Sequence, residues 1–427
     1  MTAPTPSKRR RALFAAVPLL VLVAGWEGIA RVAGVSECKP IAPSTGSWAE
    51  MQADPRYLWR LTPGFSISSP DGSTTTVSEL GLRDTFVSRA KAANEVRILT
   101  TGDSSVYGWG VPAGRTFQEL LEDRLGKTWP GTRFEVVNLG VPGYSTVQSS
   151  RLLDDVGWAM EPDLVIVGNI FSDCNIDTFQ DARALGLIHP EESALHRTLE
   201  SSRTYCAGWN AYASWYSTSN QERNRVLMPG VPRDTRWLEK VDIFVDLSRV
   251  PLGDYLENLE WMRATAESHG ARILLSPLAQ EWDVGQWTID SLPRPTAGQI
   301  LPWHVYREAM ATFASERGLG LVSMPEAFAA TEGDASRLFS DPVHPSSTGA
   351  WVMADALYGW LVAHPEALGL PLAAAVPRPP EPPAMRAPRR PAGGPRGPSG
   401  PPPAGGPAGP PGPPPPAGAP SPPPPPP

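Results

Sequence analysis

Cysteine is scarce in this chain. Three occur in 427 residues, Cys38, Cys174 and Cys206, and no two form a Cys-x-x-Cys pair. That spacing argues against a metal cluster, and neither a metal ion nor another cofactor is expected. It leaves open a Cys174–Cys206 disulfide in an oxidising compartment, or buried free thiols. Histidine is scarce too, with six residues. Basic charge is in short supply: the formal net charge is −7, and the tail from Pro371 holds five Arg against one Glu, so the body is more acidic still. No basic stripe crosses the body, so nucleic acid is not an expected partner. An acidic body is not drawn to anionic lipid by charge either.

Long apolar runs are also missing. The run Ala12–Trp26 follows the basic cluster Lys8-Arg9-Arg10-Arg11 and is short for a membrane span. Continued to Ala33, with Arg31 snorkelling, it becomes just long enough. Three readings stay open: an uncleaved signal anchor with the remainder translocated, a signal peptide cleaved after Gly28-Ile29-Ala30, and a loose twin-arginine export signal at Arg10-Arg11. Residues 1–11 would be the cytoplasmic segment and 12–33 the anchor. Membrane contact is expected through this segment alone.

What the chain does have is alternation. Residues 34–94 are rich in Ser, Thr, Pro and Gly and read as a tether and apron, with Leu80-Gly81-Leu82-Arg83-Asp84 the notable piece. From Val96, apolar strands alternate with helices. Strands are expected at 96–101, 134–139, 163–167, 271–276 and 319–322. Helices are expected at 116–125, 145–160, 251–269, 303–317 and 346–363. This pattern predicts a parallel sheet covered on both faces. Two insertions, 173–250 and 280–302, follow the third and fourth strands and can roof a site at the carboxyl edge. The first carries Tyr205, Trp209, Tyr212, Trp215, Tyr216 and Trp237, read as lid core or a sugar platform. The domain is expected to span 95–366. The segment 367–427 holds so much Pro, Gly and Ala that it is expected to be disordered with polyproline character, its partner unknown.

The first strand ends at Gly102-Asp103-Ser104-Ser105. A serine at the carboxyl edge of an open α/β sheet has a free hydroxyl and its own N–H in the same space. Far downstream, Asp341-Pro342-Val343-His344-Pro345 puts a carboxylate and an imidazole on one loop. Together they make a Ser104–His344–Asp341 triad: nucleophile, general base and orienting carboxylate. Strand ends also deliver Gly140 and Asn169, so the expected oxyanion donors are the Ser104 N–H, the Gly140 N–H and the Asn169 amide. Ser105 reads as a helix cap, and His304 as a helix-start residue or a lining of the site. His189, His196, His269 and His364 are placed at the surface or in caps.

At these residues the sequence resembles the SGNH (GDSL-type) hydrolase family, of the membrane-tethered bacterial type. The resemblance to the family rests on Gly102-Asp103-Ser104, Asn138-Leu139-Gly140-Val141-Pro142-Gly143, Gly168-Asn169 and Asp341-x-x-His344-Pro345, and that to its membrane-tethered members on Leu80-Gly81-Leu82-Arg83 and on Val250-Pro251-Leu252 through Tyr255 with Asn258-Leu259. It implies a flavodoxin-like three-layer α/β/α sandwich with a five-stranded parallel sheet. It also implies a serine esterase or deacetylase, acting outside the cytoplasm on a small acyl ester or acylated carbohydrate. An O-acyltransferase of the same fold and a non-catalytic envelope binding module remain alternatives. One departure stands out: Ile170 follows Asn169 where the family usually has Asp, so Asn175 is the other candidate donor.

Overall fold

The computed structural model describes residues 8–38, 50–68, 72–83, 90–175, 180–188, 194–212, 248–284, 294–331 and 335–381. Two small antiparallel hairpins come first: β1 (Met51–Asp54) with β2 (Leu58–Leu61), and β3 (Ser66–Ser68) with β4 (Thr74–Thr76). The main sheet then forms from β5 (Glu95–Thr101), β6 (Arg133–Asn138), β7 (Leu164–Val167), β8 (Arg272–Leu275) and β9 (Gly320–Leu321). All of its pairings are parallel, and the order is β6-β5-β7-β8-β9. The chain builds outward from β5 in one direction and then in the other. This is the doubly wound order in which a crevice opens at the carboxyl ends, between the first strand and the third.

Every residue of β5 and β7 is buried. Side chains alternate between faces along a strand, so both faces of the sheet are covered. Helix α3 (Phe117–Thr128) starts with a capping box between Thr116 and Glu119 and packs on α7 (Ser347–Ala363), which Ser346 caps. Helix α4 (Thr146–Leu152) packs on α5 (Leu252–Ser268), and α5 and α6 (Arg294–Arg317) lie over β8. The expected helix 145–160 stays α-helical only to Leu152, then widens into a π turn at Leu153–Gly157. Helix α6 starts at Arg294, inside the stretch expected to be an insertion.

Two expectations need correcting, the cysteine pairing and the free tail. The disulfide joins Cys38 to Cys206, not Cys174 to Cys206; Cys174 is a buried free thiol. The N-terminal helix α1 (Lys8–Val32) forms, but among the described residues no helix is long and apolar enough to cross a membrane. Its uncharged stretch ends at Glu27, whose carboxylate accepts hydrogen bonds from the Arg203 and Thr204 N–H groups and the Ser202 hydroxyl. The tail is not free from Pro371 onward. Residues 371–381 lie on the body: the Trp129 indole N–H donates to Pro371 O, the Val376 N–H donates to the Tyr358 hydroxyl, and Arg378 stacks 3.7 Å from the Trp351 ring centroid. Residues 382–427 lie outside the described residues, as do Trp215, Tyr216, Trp237 and His189.

Candidate active site

Strand β5 runs into the Gly102-Asp103-Ser104 turn, and Ser104 opens the short helix α2 (Ser104–Tyr107). Gly102 is required there, because a Cβ would sit 2.4 Å from Val106 Cγ2. Asp103 caps α2, its carboxylate accepting the Ser105 N–H at 3.0 Å. Burial raises the Asp103 carboxyl above the usual range, against the opposing pull of that N–H and of His344. Ser105 is therefore not the cap. Its hydroxyl donates to Val343 O at 3.3 Å and ties α2 to the downstream loop.

That loop brings the remaining triad residues to the serine. His344 Nε2 lies 2.7 Å from Ser104 Oγ, and His344 Nδ1 lies 2.7 Å from Asp341 Oδ2. The second carboxylate oxygen, Asp341 Oδ1, accepts the Val343 and His344 N–H groups, each at 2.9 Å. Burial alone would raise the Asp341 carboxyl; the His344 contact and these N–H groups outweigh it and hold the group below its ordinary value. Asp341 is thus an anion locked in one orientation against an imidazole. With Nδ1–H donated to Asp341, Nε2 is left as the acceptor facing the serine hydroxyl.

The oxyanion residues are arranged differently from expectation. Gly140 donates its N–H to Asn138 Oδ1 at 2.9 Å, so that donor is already used. Gly140 is a glycine for close packing, since a Cβ there would lie 2.4 Å from the Tyr107 nitrogen. Asn169 is fully buried; its Nδ2 donates to Ser149 Oγ at 3.0 Å and lies 3.4 Å from Tyr144 O. The second contact is long, so one N–H of this amide is only loosely held. Asn175 closes the turn Phe171–Cys174, and its carbonyl accepts the Arg249 N–H. The Ser104 N–H has no acceptor among the described residues.

Sequence reading quoted Gly143 within the second motif but gave it no role of its own. The Val141 N–H donates to Gly102 O, which sets the Val141–Tyr144 turn beside the nucleophile, and the Tyr144 N–H closes it on Val141 O. Pro142 occupies the second turn position and Gly143 the third, with φ 78°, the type II pattern. The Gly143 N–H has no acceptor among the described residues, and the residue is only partly buried. The Pro-Gly pair was the signal for this turn.

Other side chains support the edge. Arg83, from the Leu80–Arg83 piece, is buried and donates to the Tyr107, Gly108 and Val111 carbonyls, pinning the chain just after α2. Trp109, half-buried, has its ring centroid 6.1 Å from that of His344. Arg249 forms a two-pronged ion pair with Asp181 and donates to Gly143 O at 2.7 Å. Asp173 is fully buried, accepts the N–H and hydroxyl of Thr146, and is pushed up to about 8 by burial. His304 is not at a helix start; it sits within α6, paired with Arg307 at 2.8 Å. His269 and His364 cap helices as expected, whereas His196 is buried against Tyr205 and Trp209.

A doubly wound parallel sheet with a hydrogen-bonded Ser–His–Asp chain at its carboxyl edge defines a serine-nucleophile type of site. No protein-family model matches the chain, and no curated protein matches it. Solved structures similar to it include an α/β hydrolase enzyme from the metagenome of Lake Arreo, Spain, at 16% identity, covering 66% of this chain and 99% of that one, with TM-score 0.39. An acetylxylan esterase from Geobacillus stearothermophilus matches at 15% identity, over 66% and 98% of the two chains, with TM-score 0.38. A Desulfitobacterium hafniense protein assigned to the lipolytic G-D-S-L family matches at 16% identity, over 62% and 98%, with TM-score 0.36.

Proposed function

We propose that the protein is a serine esterase or deacetylase of the SGNH type that hydrolyses an acyl ester, an O-acetyl ester on the sequence resemblance. The observation that carries this is the unbroken contact chain Ser104 Oγ, His344 Nε2, His344 Nδ1, Asp341 Oδ2, with both hydrogen bonds at 2.7 Å. Ser104 Oγ attacks the acyl carbon while its proton passes to His344 Nε2. The Asp341 anion stabilises the imidazolium so formed. The developing oxyanion is met by the Ser104 N–H and the Gly143 N–H. Asn169 becomes a third donor by turning its loosely held N–H away from Tyr144 O. His344 then returns the proton to the leaving alkoxide, giving acyl-Ser104 and free alcohol. Water repeats the sequence at the acyl carbon and releases the acid.

We place the catalytic domain outside the cytoplasm. A Cys38–Cys206 bond suits an oxidising compartment, and the basic cluster before Ala12 suits export. The test is hydrolysis of a generic acetyl ester with and without a sugar acceptor. Acetate release that depends on Ser104 supports hydrolysis. Acetyl appearing on the sugar instead of in acetate would replace the hydrolase with a transferase, and no Ser104-dependent turnover would leave a binding module.

A further inference from the structure

The middle peptide of the Val141–Tyr144 turn, Pro142–Gly143, takes no part in the turn's own hydrogen bond. Such a peptide can rotate: a half-turn exchanges the directions of its C=O and N–H and converts type II geometry to type I. Here it is held from the apron. The Trp59 indole N–H, from strand β2, donates to Pro142 O at 3.0 Å. C=O and N–H point oppositely across a trans peptide, so this bond turns the Gly143 N–H away from Trp59. The hold is reinforced on both sides. Arg249 donates to Gly143 O at 2.7 Å, and its guanidinium carbon lies 5.4 Å from the Trp59 ring centroid. The Tyr144 hydroxyl donates back to Trp59 O at 2.7 Å. A Cβ on Gly143 would lie 3.0 Å from Trp59 Cζ2, so the indole is already packed on the turn. Trp59 itself follows Leu58, a buried non-glycine residue at φ 73°. Leucine in that region is strained, and it persists only where the surroundings fix it.

We propose that Trp59 is a positioning residue for the reaction: its indole N–H locks the Pro142–Gly143 peptide in the orientation that keeps the Gly143 N–H available to the oxyanion. The β1–β2 hairpin is thereby a working part of the site and not merely an apron. The inference rests on the esterase reading and on Gly143 as a donor.

The test compares the full-length wild type with Trp59→Phe, which keeps an aromatic ring and removes the N–H. A second variant carries the benzothienyl analogue of tryptophan at position 59; it keeps the indole shape and lacks only the donor, covering the case in which Trp59→Phe fails to fold. The readouts are kcat and KM on an acetyl ester and affinity for a trifluoromethyl ketone, whose adduct on serine carries an oxyanion. Loss of one oxyanion donor costs about 10²–10³ in kcat, so loosening one is expected to cost roughly tenfold or more. The ketone should lose affinity by a similar factor while KM stays nearly constant. A wild-type kcat and ketone affinity in the benzothienyl variant would overturn the proposal, as would losses that appear equally in KM. If the wild type itself neither turns over esters nor binds the ketone, the esterase reading has failed instead.

Discussion

His344 Nδ1 and Asp341 Oδ2 are 2.7 Å apart, while the other Asp341 oxygen is held by two backbone N–H groups of the same loop. The carboxylate therefore cannot swing away and leave the imidazole unoriented. Asp341→Asn preserves the shape and offers the wrong partner to Nδ1. By analogy with serine triads in general, kcat should fall by about 10⁴ with little change in KM. Steady-state kinetics on an acetyl ester checks this, and a loss confined to KM would reassign Asp341 to substrate binding.

Asn169→Ala should lower kcat by roughly 10²–10³ and leave KM nearly unchanged, because an oxyanion contact exists mainly in the transition state. Asn175→Ala is the control for the other candidate donor. A crippled Asn175→Ala beside a near-normal Asn169→Ala would move the donor to position 175.

Asp173 gives a pH test. Its folded-state pKa, pushed up to about 8, lies above the value an exposed Asp has in the unfolded chain. The neutral carboxyl thus contributes stability that is fully present at low pH and is lost as pH rises toward about 8. Asp173→Asn keeps an acceptor for Thr146 and cannot ionise. Its Tm relative to wild type should therefore improve steadily from pH 5 to about pH 8. Parallel Tm curves across that range would mean that the carboxyl is not held neutral.

Residues 371–381 are expected to add to the stability of the body, and the Pro-, Gly- and Ala-rich composition of 382–427 predicts no such contribution there. Truncation after Glu381 should leave Tm and activity unchanged. Truncation after Leu370 removes the Pro371 and Val376 hydrogen bonds and the Arg378 stack, and should cost about 1–3 kcal/mol of stability. Equal melting of the two truncated proteins would show that residues 371–381 do not contribute.

The sheet was legible because its strands are short apolar runs, the first three of them closely followed by Gly102, Gly140 and Gly168, and the triad because Ser104 follows the first strand and Asp341 and His344 share one short loop. The candidate oxyanion donors were harder. Gly140 and Gly143 look alike in sequence, and only the close approach of Tyr107 to the first and the unbonded N–H of the second separate them. Trp59 and Arg249 were invisible, because they reach the Val141–Tyr144 turn from 83 and 106 residues away in the chain. The Cys38–Cys206 pair was not legible for a related reason: its two residues lie 168 apart in the chain, and the segment after α1 brings Cys38 to the helix at 203–212.

The central claim is that Ser104 is the nucleophile and His344 its base. Labelling with a serine-directed fluorophosphonate, followed by peptide mapping, tests it most directly. The account predicts a single adduct on Ser104, absent in Ser104→Ala and formed far more slowly in His344→Ala. An adduct on Ser105 or any other serine, or labelling that persists in Ser104→Ala, would contradict it.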